Sequence, residues 1–172
     1  KVRITGCKIS GAGNDAIDLM SSQVLIEDSD LVGAGDKGVS VGEDSRALIF
    51  QSRIRDNAIG VESKDGSTAH ILNTDLNGNR IQVSAYQKNW RYGAGGRVSL
   101  DKSVLLAPSN ELKADKHSGI DVFDSAVVPP PSETSKRIKV DGDSIAVTLE
   151  RRAVTGQFQA DSATTMKKWG LA

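Results

Sequence analysis

The stretch Ser22-Gln23-Val24-Leu25-Ile26-Glu27-Asp28-Ser29-Asp30-Leu31 returns 23 residues later as Ser45-Arg46-Ala47-Leu48-Ile49-Phe50-Gln51-Ser52-Arg53-Ile54. After 22 more residues it returns again as Ser67-Thr68-Ala69-His70-Ile71-Leu72-Asn73-Thr74-Asp75-Leu76. The opening Val2-Arg3-Ile4-Thr5-Gly6-Cys7-Lys8-Ile9 fits the same frame, and Gly96-Arg97-Val98-Ser99-Leu100-Asp101-Lys102-Ser103-Val104-Leu105 makes a fifth copy. Self-similarity at a period of about 20 to 50 residues is the signature of a repeat architecture, in which each unit buries its apolar face only against its neighbours.

Within a copy the order is apolar, any, apolar, then a small or hydroxyl residue, any, apolar. This is strand alternation interrupted by a tight bend. Stacking the copies places Ile4, Ile26, Ile49, Ile71 and Leu100 in one inward ladder and Ile9, Leu31, Ile54, Leu76 and Leu105 in a second. Cys7, Ser29, Ser52, Thr74 and Ser103 form a ladder of small residues at the bend. A further apolar pair recurs between copies as Ile17/Leu19, Val39/Val41, Ile59/Val61 and Ile81/Val83, with Ile120/Val122 after a long insertion, so each repeat supplies about three short strands. Gly, Asn, Asp and Ser at every corner would break a 3.6-residue helical period. The expected fold is all-β, a right-handed parallel β-helix of about five coils.

Composition agrees and excludes several classes. The 172 residues include 17 glycines and four prolines, as many short turns require. The 22 basic and 22 acidic side chains leave no excess cation for general nucleic-acid binding. No window reaches the roughly 18 unbroken apolar residues of a membrane helix, so membrane insertion is not expected. A single cysteine excludes an intrachain disulfide and multi-cysteine zinc clusters. The start, KVRITGCKIS, has neither a signal-peptide apolar stretch nor an initiator Met, which reads as a soluble chain processed or cut from something longer.

These copies resemble the pectate-lyase-like superfamily of parallel β-helices, whose repeats run roughly apolar-x-apolar-x-x-small-x-apolar, then Gly or Asn, then a second apolar pair. Residues 1–128 carry the resemblance. It implies the fold and an exported protein, located outside the cell, in the periplasm or at the cell surface. It does not single out an activity, because such folds host lyases, hydrolases, epimerases, adhesins and tail fibres. Beyond the helix, residues 129–135, with Pro129-Pro130-Pro131, read as a stiff linker. Residues 136–172 read as a tail: a hairpin of residues 137–140 and 145–149 around Asp141-Gly142, then a short helix from Asp161 through Lys168.

Two segments depart from the repeat. They are residues 88–95, reading KNWRYGAG, and a polar insertion at residues 107–118. Such excursions are where solenoids place function, since the stacked core fixes their ends. The most suggestive groups follow the second apolar pair in consecutive coils: Asp36-Lys37 with Gly42-Glu43, then Glu62 with Lys64-Asp65, then Lys88, Trp90, Arg91 and Tyr92. Glu43, Lys64, Asp65, Lys88, Trp90, Arg91 and Tyr92 are the expected ligand-binding set for a polysaccharide. Aromatic rings stack on sugar faces, and cations pair with uronate carboxylates. The alternative is that they are solvated turn charges around an aromatic plug, because turns favour Asp, Asn and Gly.

Among enzymatic chemistries, β-elimination suits these residues best, with Lys64, Lys88 and Arg91 as candidate catalytic cations. Glu43 and Asp65 offer hard oxygens to Ca²⁺, but no EF-hand or nonapeptide spacing is present and no metal site is assigned. Arg137-Ile138-Lys139 is similar to one signature of polygalacturonases, yet the Gly-His-Gly and paired-aspartate motifs that should precede it are absent. His70 falls on the outward side of its strand, His117 lies in the second insertion, and Cys7 is expected to be a packed thiol in the bend ladder. A lyase-like or sugar-binding β-helix therefore stands against a structural or adhesive stalk. Leu25 and Leu48, outward-facing and adjacent in the stack, need a cover, either the tail or a partner chain in self-association.

Overall fold

A computed structural model describes residues 1–109, 111–131 and 135–141, and in it the repeat is realised turn by turn. The first turn consists of β1 (Val2–Thr5), β2 (Lys8–Ser10) and β3 (Ile17–Met20), and the second of β4 (Gln23–Glu27), β5 (Asp30–Val32) and β6 (Lys37–Gly42). The third holds β7 (Arg46–Phe50), β8 (Arg53–Arg55) and β9 (Ile59–Lys64), and the fourth β10 (Thr68–Leu72), β11 (Asp75–Asn77) and β12 (Ile81–Tyr86). β13 (Arg97–Asp101), β14 (Val104–Leu106) and β15 (Leu112–Ala114) make the fifth. β16 (Gly119–Phe123), β17 (Ala126–Val128) and β18 (Ile138–Val140) complete the described chain, which contains no α-helix.

Corresponding strands line up as three parallel sheets. The first has the order β1-β4-β7-β10-β13-β16-β18, the second β2-β5-β8-β11-β14-β17, and the third β3-β6-β9-β12-β15. Ile4, Ile26, Ile49, Ile71, Leu100 and Val122 pair in register as one inward row. Ile9, Leu31, Ile54, Leu76, Leu105 and Val127 form the next. These rows and the inner side of the third sheet make one continuous apolar core. Five complete turns are followed by the two strands β16 and β17, and β18 then reopens the first sheet.

The bends explain why small and polar residues recur. Gly6, Asp28, Gln51, Asn73, Lys102 and Asp124 each occupy the left-handed region between the first and second sheets, which turns the chain sharply in one residue. Just beyond them the hydroxyl ladder has a double function. Ser29, Ser52, Thr74, Ser103 and Ser125 each accept a hydrogen bond from the backbone N–H of the preceding turn's residue at 3.0–3.3 Å. Each hydroxyl also donates to the carbonyl two residues upstream. Backbone groups buried at a sheet corner are thereby satisfied, which a packed aliphatic side chain could not do. Asn57 and Asn79 serve the corner after the second sheet in the same way, Asn79 Oδ1 accepting from both the backbone and the side-chain amide of Asn57.

Four sequence expectations change. Ile120 and Val122 belong to the first sheet, paired with Val98 and Leu100, and the segment read as a polar insertion contains β15, whose Leu112 pairs with Val83. A strand of three residues with one large apolar side chain leaves too little alternation to see. In the third sheet Val39 pairs with Val61, so the inward pair of that turn is Val61/Ser63 rather than Ile59/Val61. Residues 138–140 pair in parallel with β16, so stacking is also found beyond the proline run. Cys7 keeps its ladder position but is exposed, because it lies on the first turn, which is covered from one side only. The second hairpin strand at residues 145–149 and the helix from Asp161 through Lys168 lie outside the described residues.

Candidate functional site

Residues 88–95 leave the stack between β12 and β13 and are held on its side by one carboxylate. Asp65, buried and with a left-handed backbone, accepts the N–H groups of Lys88 at 2.7 Å and Asn89 at 2.6 Å on its Oδ1. Asn89 then caps a single 3-10 turn, Trp90–Tyr92, by accepting from the Arg91 N–H, and Gly93 closes the turn in the left-handed region. Gly95 and Gly96 bring the chain back, and a Cβ on Gly96 would collide with the backbone carbonyl of Ser63. A charged residue in one turn thus fixes the loop of the next.

This loop closes one side of a cleft of about 460 Å³ whose other walls are Asp18, Met20, Gly42, Glu43, Lys64 and Asp65. Five of the seven expected binding residues, Glu43, Lys64, Asp65, Lys88 and Trp90, line it. Tyr92 packs near Gly66, and burial together with the nearby Glu43 carboxylate raises its phenol pKa. Arg91 is exposed on the 3-10 turn beside Trp90 and does not line the cleft. Trp90 is 80% exposed at the rim.

Lys64 reaches the cleft because Gly42 leaves room for it. A Cβ on Gly42 would stand 2.7 Å from the Lys64 Cε, so the lysine stem lies across that glycine, and its Nζ donates to Ser40 Oγ at 3.0 Å. Lys88 is exposed at the opposite wall. The two candidate cations therefore face one space from two different turns.

Sequence reasoning named Lys37, Asp36 and Glu62 without placing them in the binding set, and it passed over Asp15. The fold gathers all four beside the cleft. Lys37 Nζ pairs with Asp36, with Asp15 at 3.4 Å and with Glu62 at 3.7 Å. Burial opposes the Lys37 charge, but the Asp36 hydrogen bond and the neighbouring carboxylates outweigh it and hold the ammonium above its ordinary pKa. Glu62 is 3% exposed, and its burial raises its pKa against the pull of Lys37 and Lys64. Asp15 precedes its strand in the first turn, where no repeat copy marked it, so only the register brings it to Lys37.

Calcium finds no ready cage here. Asp65 Oδ1 is committed to two backbone N–H groups, and among the described residues no three or more His, Cys, Asp or Glu side chains are grouped to hold a metal ion. His70 lies in the outward row expected for it, between Leu48 and Ser99, and bonds Ser99 Oγ through Nδ1 at 2.7 Å. His117 is exposed, and its N–H donates to Asp115 Oδ1. A larger depression of about 870 Å³ lies along β15, over Lys113, Asp115 and Arg137, with half-buried Tyr86 in its wall.

Three parallel sheets coiled around an apolar interior, with loops projecting at the corners, define a parallel β-solenoid. The family model "Right handed beta helix region" matches residues 1–146, and the chain belongs to that family. No curated protein and no solved structure matches it.

Proposed function

We propose that the cleft beneath the 88–95 loop is a polysaccharide-binding site, in a family whose domains often bind or process such chains. The observation that carries this reading is Trp90, 80% exposed at the rim of a cleft that also presents Lys64 and Lys88. An indole held out in water loses hydrophobic stabilisation unless a flat apolar surface, such as a pyranose face, covers it. The lysines are placed for uronate carboxylates, and Glu43 and Asp18 for sugar hydroxyls. Such a cleft would follow the stack, with successive turns about 4.8 Å apart meeting successive parts of one glycan. If the site also cleaves its ligand, β-elimination is the chemistry its cations fit, with Lys64 or Lys88 near the acidic carbon and Arg91 available from the rim.

Retention on a panel of uronate-containing and neutral polysaccharides, read together with the absorbance of unsaturated products, tests this. Trp90→Ala with Tyr92→Ala should lower affinity for most glycans the protein binds. Lys64→Ala and Lys88→Ala should weaken only acidic ones, by an amount that shrinks as salt rises. If the parent binds no member of the panel, or all the variants match it, the cleft reading fails and a non-binding stalk takes its place.

A further inference from the structure

Among the described residues four large apolar side chains stand in solvent, Val2, Met20, Trp90 and Phe123, and two of them, Met20 at 58% and Trp90, line the same cleft. Single exposed apolar residues are ordinary on a protein surface, but two that share a concave wall with charged groups mark a place that a ligand covers. Met20 ends β3, and its partner in the next turn is Gly42. The space over that glycine is taken by the methylene stem of Lys64, so Leu19, Met20 and the stem make a narrow apolar strip within the cleft. Asp18, Glu43 and Lys88 line the same cleft, which leaves room for a small apolar substituent on a polar ligand and not for a lipid chain. Asn89 lines it too. Its Oδ1 accepts the Arg91 N–H, whereas its amide Nδ2 has no acceptor among the described residues.

We propose that the sugar unit held in this cleft carries an acetyl group, whose methyl meets Met20 and Trp90 and whose carbonyl oxygen accepts from Asn89 Nδ2. The acetyl group rests on the polysaccharide reading of the cleft and narrows it to one substituent. Two other methyl-bearing groups match less of the site. A methyl ester on a uronate removes the carboxylate that Lys64 and Lys88 are placed to pair with, and the methyl of a 6-deoxy sugar leaves the Asn89 donor unmatched. O-acetyl and N-acetyl groups present the same methyl and the same carbonyl, and the exposed thioether of Met20 adapts its shape to either.

The test uses the full chain and two polymers. One is an O-acetylated polyuronate, compared with its alkali-deacetylated form. The other alternates glucuronate with N-acetylhexosamine and is compared with the polymer carrying N-formyl in place of N-acetyl, which keeps the amide and lacks the methyl. The acetylated form of at least one polymer should be retained about fivefold more tightly than its counterpart, and the polymer that shows the difference identifies the linkage. Met20→Ser should bring that ratio toward one, and Met20→Leu should keep it. Peroxide oxidation of Met20, followed by mass spectrometry, should be slowed by the preferred acetylated polymer and much less by its counterpart. If Met20→Ser loses its β-sheet circular dichroism, this protection decides alone. Retention that ignores acetylation, or a preference unchanged in folded Met20→Ser, would overturn the acetyl assignment and leave the polysaccharide reading standing. Retention of neither polymer in any form would overturn it as well, and the wider glycan panel then decides separately whether the cleft binds polysaccharide.

Discussion

Asp65 and Lys88, 23 residues apart, are joined by a 2.7 Å hydrogen bond from the Lys88 N–H to Asp65 Oδ1, and this bond makes the loop an extension of the third turn. With the parallel bond from Asn89, one buried carboxylate sets where Trp90 stands. Asp65→Ala should remove two charge-assisted bonds, worth about 1.5–3 kcal/mol each at most, and leave two N–H groups without their acceptor. Faster amide exchange at residues 88–93 and weaker glycan retention are the expected outcomes. Asp65→Asn, which keeps an acceptor oxygen, should retain most of both.

Ile49 lies in the middle of the inward row, between Ile26 and Ile71, with no solvent contact. Ile49→Ala should cost about 2–5 kcal/mol, and Ile49→Asp, which buries an unpaired charge, should abolish folding in a protein whose total stability is about 5–15 kcal/mol. Chemical denaturation followed by circular dichroism measures both. An Asp variant with unaltered unfolding would contradict the inward assignment.

Gln51 adopts a φ of 47° at an exposed bend position that Gly6 fills in the first turn. The left-handed region costs a side chain with a Cβ about 1–2 kcal/mol, and glycine avoids that cost while gaining freedom in the unfolded chain. Gln51→Gly should therefore raise the unfolding free energy by up to about 1 kcal/mol. Gln51→Ala should not, and thermal melts of the pair separate backbone strain from loss of the side chain.

His70 contributes to the pH dependence of stability. Burial, followed by the charge of Arg46, lowers its pKa from 6.5 to about 4. Between those values the unfolded chain binds a proton that the folded chain refuses, so stability increases with pH across this window. The contribution is complete above about pH 6.5, declines as pH falls toward 4, and levels off below. Replacing His70 with Gln should flatten that part of the stability profile in urea titrations from pH 4 to 7. An unchanged slope would place His70 in water.

The repeat, the two inward ladders and the hydroxyl ladder were legible in the chain because each depends on local alternation and on one bend geometry that recurs every turn. Where a strand shrank to three residues, as in β15, the local pattern fell below recognition, and at β18 the alternation was visible but its partner was not, so only hydrogen bonding to the strand beneath defined each place in the stack. The site divides in the same way. Lys64, Lys88 and Trp90 were visible as chemistry projecting from consecutive turns, since a parallel stack converts a shared place in the repeat into neighbourhood. The anchoring of the loop by Asp65, the passage of Lys64 over Gly42, and the meeting of Asp15 with Lys37 and Glu62 belong to the tertiary structure. They join residues from different turns through side-chain reach and register, quantities that no single repeat contains.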